Sequence, residues 1–184
     1  MAEEIIDGTG QGYSAKVNSL NQLETNSVTQ SVGHFSNVEN GEAWHLVFER
    51  AATGTTNPFF YFENTGTEEY ILEGFTYRVA SAESLLIYLN DTGTTPAGGT
   101  DITPVNCNTS SSKVMTVVAK HGGSITGLTA GDLVEQLYLT STESSNYNFD
   151  QDIVIAPGGR LSFRVGTGSV QLSLTLYMYK NPGL

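Results

Sequence analysis

In the segment SVQLSLTLYMY (residues 169–179), apolar and polar side chains alternate without a break. One set comprises Val170, Leu172, Leu174, Leu176 and Met178, and the other comprises Gln171, Ser173, Thr175, Tyr177 and Tyr179. Successive side chains of a strand point to opposite faces, so a period of two predicts a strand with one buried face.

The same alternation recurs in shorter segments from about residue 42 onward, and loops of Gly, Thr, Ser and Asn separate them. Examples are EAWHLVFE (42–49), SLLIYLN (84–90) and GRLSFRV (159–165). We also predict a strand for DLVEQLYL (132–139), although its Leu133–Leu137 spacing would suit a helix. Eight to nine short strands predict an all-β sandwich or barrel over residues 41–184. The irregular segment 90–112 is predicted to be a crossover loop between two sheets.

The first 40 residues contain few bulky side chains, and these are widely spaced. Such a segment cannot offset its own ordering entropy, so we predict an extended N-terminal arm that lies on a partner surface. The stretch DGTGQGY (7–13) lacks both a preceding strand and a GK[ST] motif, so it is interpreted as a flexible hinge rather than a phosphate-binding loop. The predicted contact residues of the arm are Tyr13, Lys16, Val17, Leu20 and Leu23.

The charge balance argues against two classes of partner. Eight Lys and Arg against 19 Asp and Glu give a net charge of −11, and the arginines are scattered along the chain. We therefore expect no nucleic-acid partner and no membrane partner.

The acidic N-terminus lacks the pattern of a secretion signal, so we expect the protein to be used without passing through a secretion pathway. The single cysteine, Cys107, cannot form an internal disulfide.

Motifs that carry chemistry are not found in the sequence. His34, His45 and His121 are too far apart for a standard metal motif, and no G-x-S-x-G segment is present. We therefore predict no catalytic, metal-binding or cofactor-binding residues. Tyrosines on the outer face of a strand can stack on sugars or pack in a subunit interface. We favour the interface and assign Tyr138, Tyr177 and Tyr179 to it.

Several phrases together resemble a known family. They are GTGQGYSAKVNSLNQLETNSVTQS (8–31) with NGEAWHLVF (40–48), FFYFENTGTEEYILEGFTYRV (59–79), GGTDITPVNCN (98–108) and IVIAPGGRLSFRVGTGSVQLSLTLYMY (153–179). The first pair is similar to the opening of small virion proteins of tailed bacteriophages. The others look like the jelly-roll module of phage head decoration (cement) proteins and related fibre-base proteins.

This resemblance implies a single jelly-roll β-sandwich with eight to nine antiparallel strands and an N-terminal arm. It also implies a non-enzymatic homotrimer that is made in the bacterial cytoplasm and binds the major capsid protein on the outer surface of the virion. Its task there would be to stabilise the shell. The alternative is a receptor-binding or carbohydrate-binding jelly roll of a phage fibre or tail.

Overall fold

The computed structural model describes residues 5–6, 14–17, 23–24, 40–52, 57–123, 125–140, 144–166 and 170–181, and the chain divides into two compact units, Met1–Ser31 and Val32–Leu184. The first unit contains β1 (Ile5–Ile6), β2 (Ser14–Val17) and β3 (Leu23–Glu24). These strands form an antiparallel sheet in the order β1-β2-β3. Of the predicted arm contacts, Lys16 and Val17 lie in β2 and Leu23 in β3, whereas Tyr13 and Leu20 lie outside the described residues.

The second unit is built from strands throughout its described length. They are β4 (Ala43–Ala52), β5 (Phe60–Asn64), β6 (Tyr70–Val79), β7 (Glu83–Leu89), β8 (Thr92–Ala97), β9 (Thr100–Asp101), β10 (Val105–Asn106), β11 (Val117–His121), β12 (Thr126–Thr129), β13 (Asp132–Leu139), β14 (Ser145–Ile155), β15 (Arg160–Val165) and β16 (Val170–Lys180). The strand predicted for residues 132–139 is thus confirmed as β13.

The strands of the second unit pair in a nested, antiparallel order. One large sheet has the order β10-β4-β16-β6-β14 and the other the order β13-β7-β15-β5-β11-β9, while β12 and β8 form a separate two-stranded sheet. Leaving β8 to β12 aside, the first strand pairs with the last (β4 with β16), the second with the seventh (β5 with β15), the third with the sixth (β6 with β14) and the fourth with the fifth (β7 with β13). This nesting is the connectivity of a jelly roll. The predicted all-β, jelly-roll-like sandwich is therefore confirmed.

The five remaining strands lie in one insertion between β7 and β13. The sequence predicted a loop for residues 90–112, and this was wrong in part, because the segment contains β8, β9 and β10. Its predicted crossing between sheets is confirmed, since β9 joins the six-stranded sheet and β10 the five-stranded sheet. The strands were missed because their short sequences have no apolar alternation, and because β8, β9 and β10 pair with β12, β11 and β4 rather than with the strands next to them in the chain.

The core lies between the two sheets and takes the faces that the alternation predicts. On β4, β7, β15 and β16, these side chains are each at most 5% exposed: Trp44, Leu46, Phe48, Leu85, Ile87, Leu161, Phe163, Val165, Val170, Leu172, Leu174, Leu176 and Met178. Aromatic rings join the sheets, because Phe48 of β4 stacks on Phe60 of β5 with ring centroids 5.1 Å apart. Full burial of one such side chain contributes about 1.5–3 kcal/mol to folding. Within the described residues, no helix is long and apolar enough to cross a membrane.

Candidate functional site

A groove runs along the outer face of the five-stranded sheet, where the central strand β16 carries small side chains. Ser173 lies between Glu49 of β4 and Arg78 of β6, and Thr175 lies between Val47 and Thr76 in the next row. These six residues define the outer groove. Because the flanking Glu49 and Arg78 are longer than the serine between them, the middle of the sheet face is recessed. Two overlapping cavities of about 380 and 490 Å³ occupy this recess.

The polar groups of the outer groove include both hydrogen-bond donors and acceptors. Glu49 and Arg78 are both exposed, and they carry opposite charges on opposite sides of Ser173. The side-chain amide of Gln171 donates a hydrogen bond of 2.7 Å to Glu49 Oε1, which holds the carboxylate in place. The groove can therefore accept hydrogen bonds from a ligand and also donate hydrogen bonds to it.

An aromatic pair lies one row beyond the outer groove on the same face. The ring centroids of His45 and Tyr177 are 5.0 Å apart, and burial lowers the pKa of His45. The Tyr177 hydroxyl is hydrogen-bonded to the Thr76 hydroxyl, and Thr76 Oγ1 donates to Asn146 Oδ1 at 2.7 Å. Tyr177 is half-buried, and its hydroxyl is hydrogen-bonded to a residue of the outer groove.

The prediction that Tyr179 is exposed was wrong. Tyr179 is only 4% exposed and packs in a small cluster with Ala43 and Ile71, with Cys107 against it. The alternation placed Tyr179 correctly on the outer face, but the chain that follows β10 covers that face here, and Cys107 N donates to Ala43 O at 2.9 Å. The same burial raises the pKa of the Cys107 thiol.

Tyr138 lies in an exposed apolar strip on β13, the terminal strand of the six-stranded sheet. The exposed fractions are 69% for Tyr138, 49% for Leu133 and 43% for Val134, and these three residues define the β13 strip. Consecutive exposure of Leu133 and Val134 has a local cause. The register with β7 shifts between Leu133 and Glu135, so that Val134 is an extra residue in a bulge.

A polar cluster lies on the outer face of the six-stranded sheet, next to the start of the insertion. Arg164 Nη2 and Asp91 Oδ2 form an ion pair of 2.8 Å, with side chains only 3% and 0% exposed. Asp91 Oδ1 also accepts a hydrogen bond of 3.0 Å from Gly131 N. Asp91 precedes β8 and Gly131 follows β12, so one buried carboxylate ties both ends of the insertion to β15.

Neighbouring residues extend this cluster. Arg160 bonds to Glu63 Oε1 at 3.2 Å through Nη2 and to the Gly93 carbonyl oxygen at 3.2 Å through Nη1. The Tyr61 hydroxyl donates to Glu63 Oε2 at 2.8 Å, and burial together with this bond raises the pKa of Tyr61. Since these groups bond to one another and to the insertion, we interpret the cluster as structural. This cluster could not be predicted from the sequence. Strand alternation shows that Arg164 lies on the outer face of β15, but it does not show that another segment covers this face.

The described residues do not bring together three His, Cys, Asp or Glu side chains that could hold a metal ion. His45 lies in β4 and His121 in β11, which belong to different sheets, whereas His34 lies outside the described residues.

Comparisons with family models, with curated proteins and with solved structures found no match to this chain.

Proposed function

We propose that this protein is a non-enzymatic structural protein of a phage virion, which binds the outer capsid surface as a trimer and stabilises the shell. The observation that carries the proposal is the β13 strip. Terminal strands of sheets usually carry charged side chains, whereas this one exposes three large apolar side chains, Leu133, Val134 and Tyr138, beside the polar Asp132 and Gln136. Such a surface favours a protein contact, with Tyr138 as a typical anchor residue.

The β13 strip favours packing of side chains over addition of a partner strand. The bulge at Val134 interrupts the regular ladder of β13, and a partner strand needs a regular ladder to pair with. A second copy of the chain is the proposed occupant, in a closed ring of three protomers. Tyr138 remains in the proposed interface, whereas Tyr177 lies on the five-stranded sheet, so we do not include it in the contact made by the β13 strip. Tyr179 contributes to folding of the protomer instead, because its own chain buries it.

Capsid contact is proposed for the N-terminal unit, with Tyr13, Lys16, Val17, Leu20 and Leu23 as the contact residues. Its separation as a compact unit, Met1–Ser31, supports a part of the chain with its own role. A protein that binds the closed shell more tightly than the dissociated subunits stabilises the shell by mass action. Binding across the joints between capsid subunits would have this effect.

The test is co-sedimentation with shells of the proposed partner, the major capsid protein of a tailed phage, that are assembled without this protein. We expect the full-length chain to sediment with the shells in saturable amounts and to raise their melting temperature. The variant Tyr138→Ser should be monomeric and should bind more weakly, because avidity is lost. Val114→Ser is the matched control, since Val114 is 80% exposed outside the β13 strip. Failure of the full-length chain to bind shells would refute the proposal.

A further inference from the structure

We propose that the outer groove is a binding site for a short, uncharged glycan. The site would serve a function beyond capsid binding, because it lies on the five-stranded sheet, whereas the β13 strip lies on the other sheet. The inference depends on the shape, the chemistry and the charge of the groove.

The shape of the groove suits a short ligand. The row that contains Glu49 and the row that contains Val47 are two residues apart along β4, which corresponds to about 7 Å. The walls stand on β4 and β6 with β16 between them, so they are about 10 Å apart. Tyr177 of β16 lies at one end of this trough, in the row of His45, so a sugar ring can lie on the floor with its edge against Tyr177.

The chemistry of the groove matches vicinal hydroxyl groups. A sugar hydroxyl both donates and accepts, and two adjacent hydroxyls can bind one planar group in a bidentate manner. Glu49 provides such a planar acceptor, and Arg78 provides a planar donor on the opposite wall. Ser173 and Thr175 add hydroxyls on the floor between the walls.

The groove also has the apolar surface that the C–H faces of a sugar ring require. Val47 is 60% exposed and belongs to the groove. The His45–Tyr177 pair lies in the adjacent row, and its half-buried rings are held by packing and by the hydrogen bond of Tyr177 to Thr76. Aromatic rings beside a few convergent polar groups are typical of small-ligand sites. Because the rings are already fixed, little side-chain entropy is lost on binding.

Charge decides which class of glycan fits. Arg78 and Glu49 balance each other across the groove, and the whole chain carries a net charge of −11. A polyanion such as a uronic-acid polymer would be repelled by this field, whereas an uncharged saccharide would not be. We therefore assign the groove to neutral glycans.

The experiment is isothermal titration of the full-length protein with trisaccharides of glucose, galactose, mannose and N-acetylglucosamine, and with the matching uronic-acid trisaccharides. We expect at least one neutral trisaccharide to bind with a Kd of about 1 mM or tighter, the range of weak specific sites. Glu49→Gln should weaken this binding roughly tenfold, because a charge-assisted hydrogen bond is replaced by a neutral one. Ser173→Tyr should abolish it by filling the floor of the trough.

The matched control is Glu135→Gln on β13, in the other sheet, which should bind like the unmodified chain. Circular dichroism of each variant confirms that the sandwich is folded. The inference is overturned if no neutral trisaccharide binds, if only the uronic acids bind, or if Glu49→Gln and Ser173→Tyr both leave the affinity unchanged. Co-sedimentation of Ser173→Tyr with capsid shells should remain normal, which separates this test from that of the proposed capsid function.

Discussion

Replacing Asp91 by alanine should destabilise the protein severely, because it leaves a buried guanidinium without its counter-charge. Asp91 Oδ2 lies 2.8 Å from Arg164 Nη2, and the two side chains are 0% and 3% exposed. The same substitution removes the acceptor for the Gly131 amide, which donates to Asp91 Oδ1 at 3.0 Å. Both ends of the insertion between β7 and β13 therefore lose their common anchor.

The expected loss is about 3–5 kcal/mol in the free energy of unfolding, as is typical when one partner of a buried ion pair is removed. A control within the same insertion sets the scale. Asp101 pairs with Lys120 at 2.6 Å, but the Asp101 side chain is 81% exposed. Because water screens this exposed pair, Asp101→Ala should cost only about 0–1 kcal/mol.

The assay is equilibrium unfolding in urea, followed by the fluorescence of Trp44. This residue is the single tryptophan of the chain and is 3% exposed in the core, with its ring 5.9 Å from that of Tyr70. With a slope of about 2 kcal/mol per molar urea, the midpoint should fall by about 1.5–2.5 M for Asp91→Ala. It should fall by about 0.5 M or less for Asp101→Ala.

A double variant tests the cause of the loss. In Asp91→Leu with Arg164→Met, no charge remains buried, and the stability should recover by at least half of the loss in Asp91→Ala. If Asp91→Ala proves no more costly than Asp101→Ala, the buried ion pair does not anchor the insertion. If the double variant is less stable than Asp91→Ala, the uncompensated charge is not the cause of the loss.

Three further predictions concern the tyrosines, the N-terminal unit and acid stability. Tyr179→Ala should lower the free energy of unfolding by about 3 kcal/mol in urea titrations. Tyr138→Ala should change the free energy of unfolding by less than about 0.5 kcal/mol. In light scattering, Tyr138→Ala should shift the molar mass toward that of the monomer. Deleting residues 1–31, the first compact unit, should leave the circular dichroism of strands intact and reduce co-sedimentation with capsid shells. Burial by itself would raise the pKa of Glu42. The ion pairs of Glu42 with Lys113 and Lys180 have a larger effect in the opposite direction, so the pKa is lowered from its usual value of 4.5. Stability from these pairs is therefore present above pH 4.5 and is lost as the pH falls through the lowered pKa. In Glu42→Gln, the free energy of unfolding that is lost on acidification should be smaller than in the unmodified chain, by about 1 kcal/mol or less.

Each of these predictions has an outcome that would contradict it. Equal destabilisation by Tyr138→Ala and Tyr179→Ala would mean that the burial of Tyr179 has no energetic weight. A deletion variant without strand-type circular dichroism would show that the sandwich needs the first 31 residues. For Glu42, the contradicting result is a variant whose stability falls between pH 5 and pH 3 as steeply as that of the unmodified chain.

The class of the fold and the inward faces of its main strands could be predicted from local sequence. A strand exposes alternate side chains on opposite faces, so the alternation in β16 is visible within eleven residues. The same reasoning identified the inner faces of β4, β7 and β15 and the strand character of β13. The β13 strip was predicted only at Tyr138, because the bulge that exposes Val134 depends on the register with β7.

Which outer faces are covered and which remain open is visible in the folded structure but not in the local sequence. Ser173, Tyr179 and Arg164 have equivalent outward positions in their strands, yet Ser173 lies in a groove, Tyr179 is packed against Ala43 and Ile71, and Arg164 is buried against Asp91. The difference arises from the insertion between β7 and β13, in which β10 and β11 pair with β4 and β5, two strands distant in the sequence. Alternation is a property of neighbouring residues and is therefore visible in the sequence. What covers the outer face of a strand depends on segments far along the chain, and their placement is determined only when the whole chain folds.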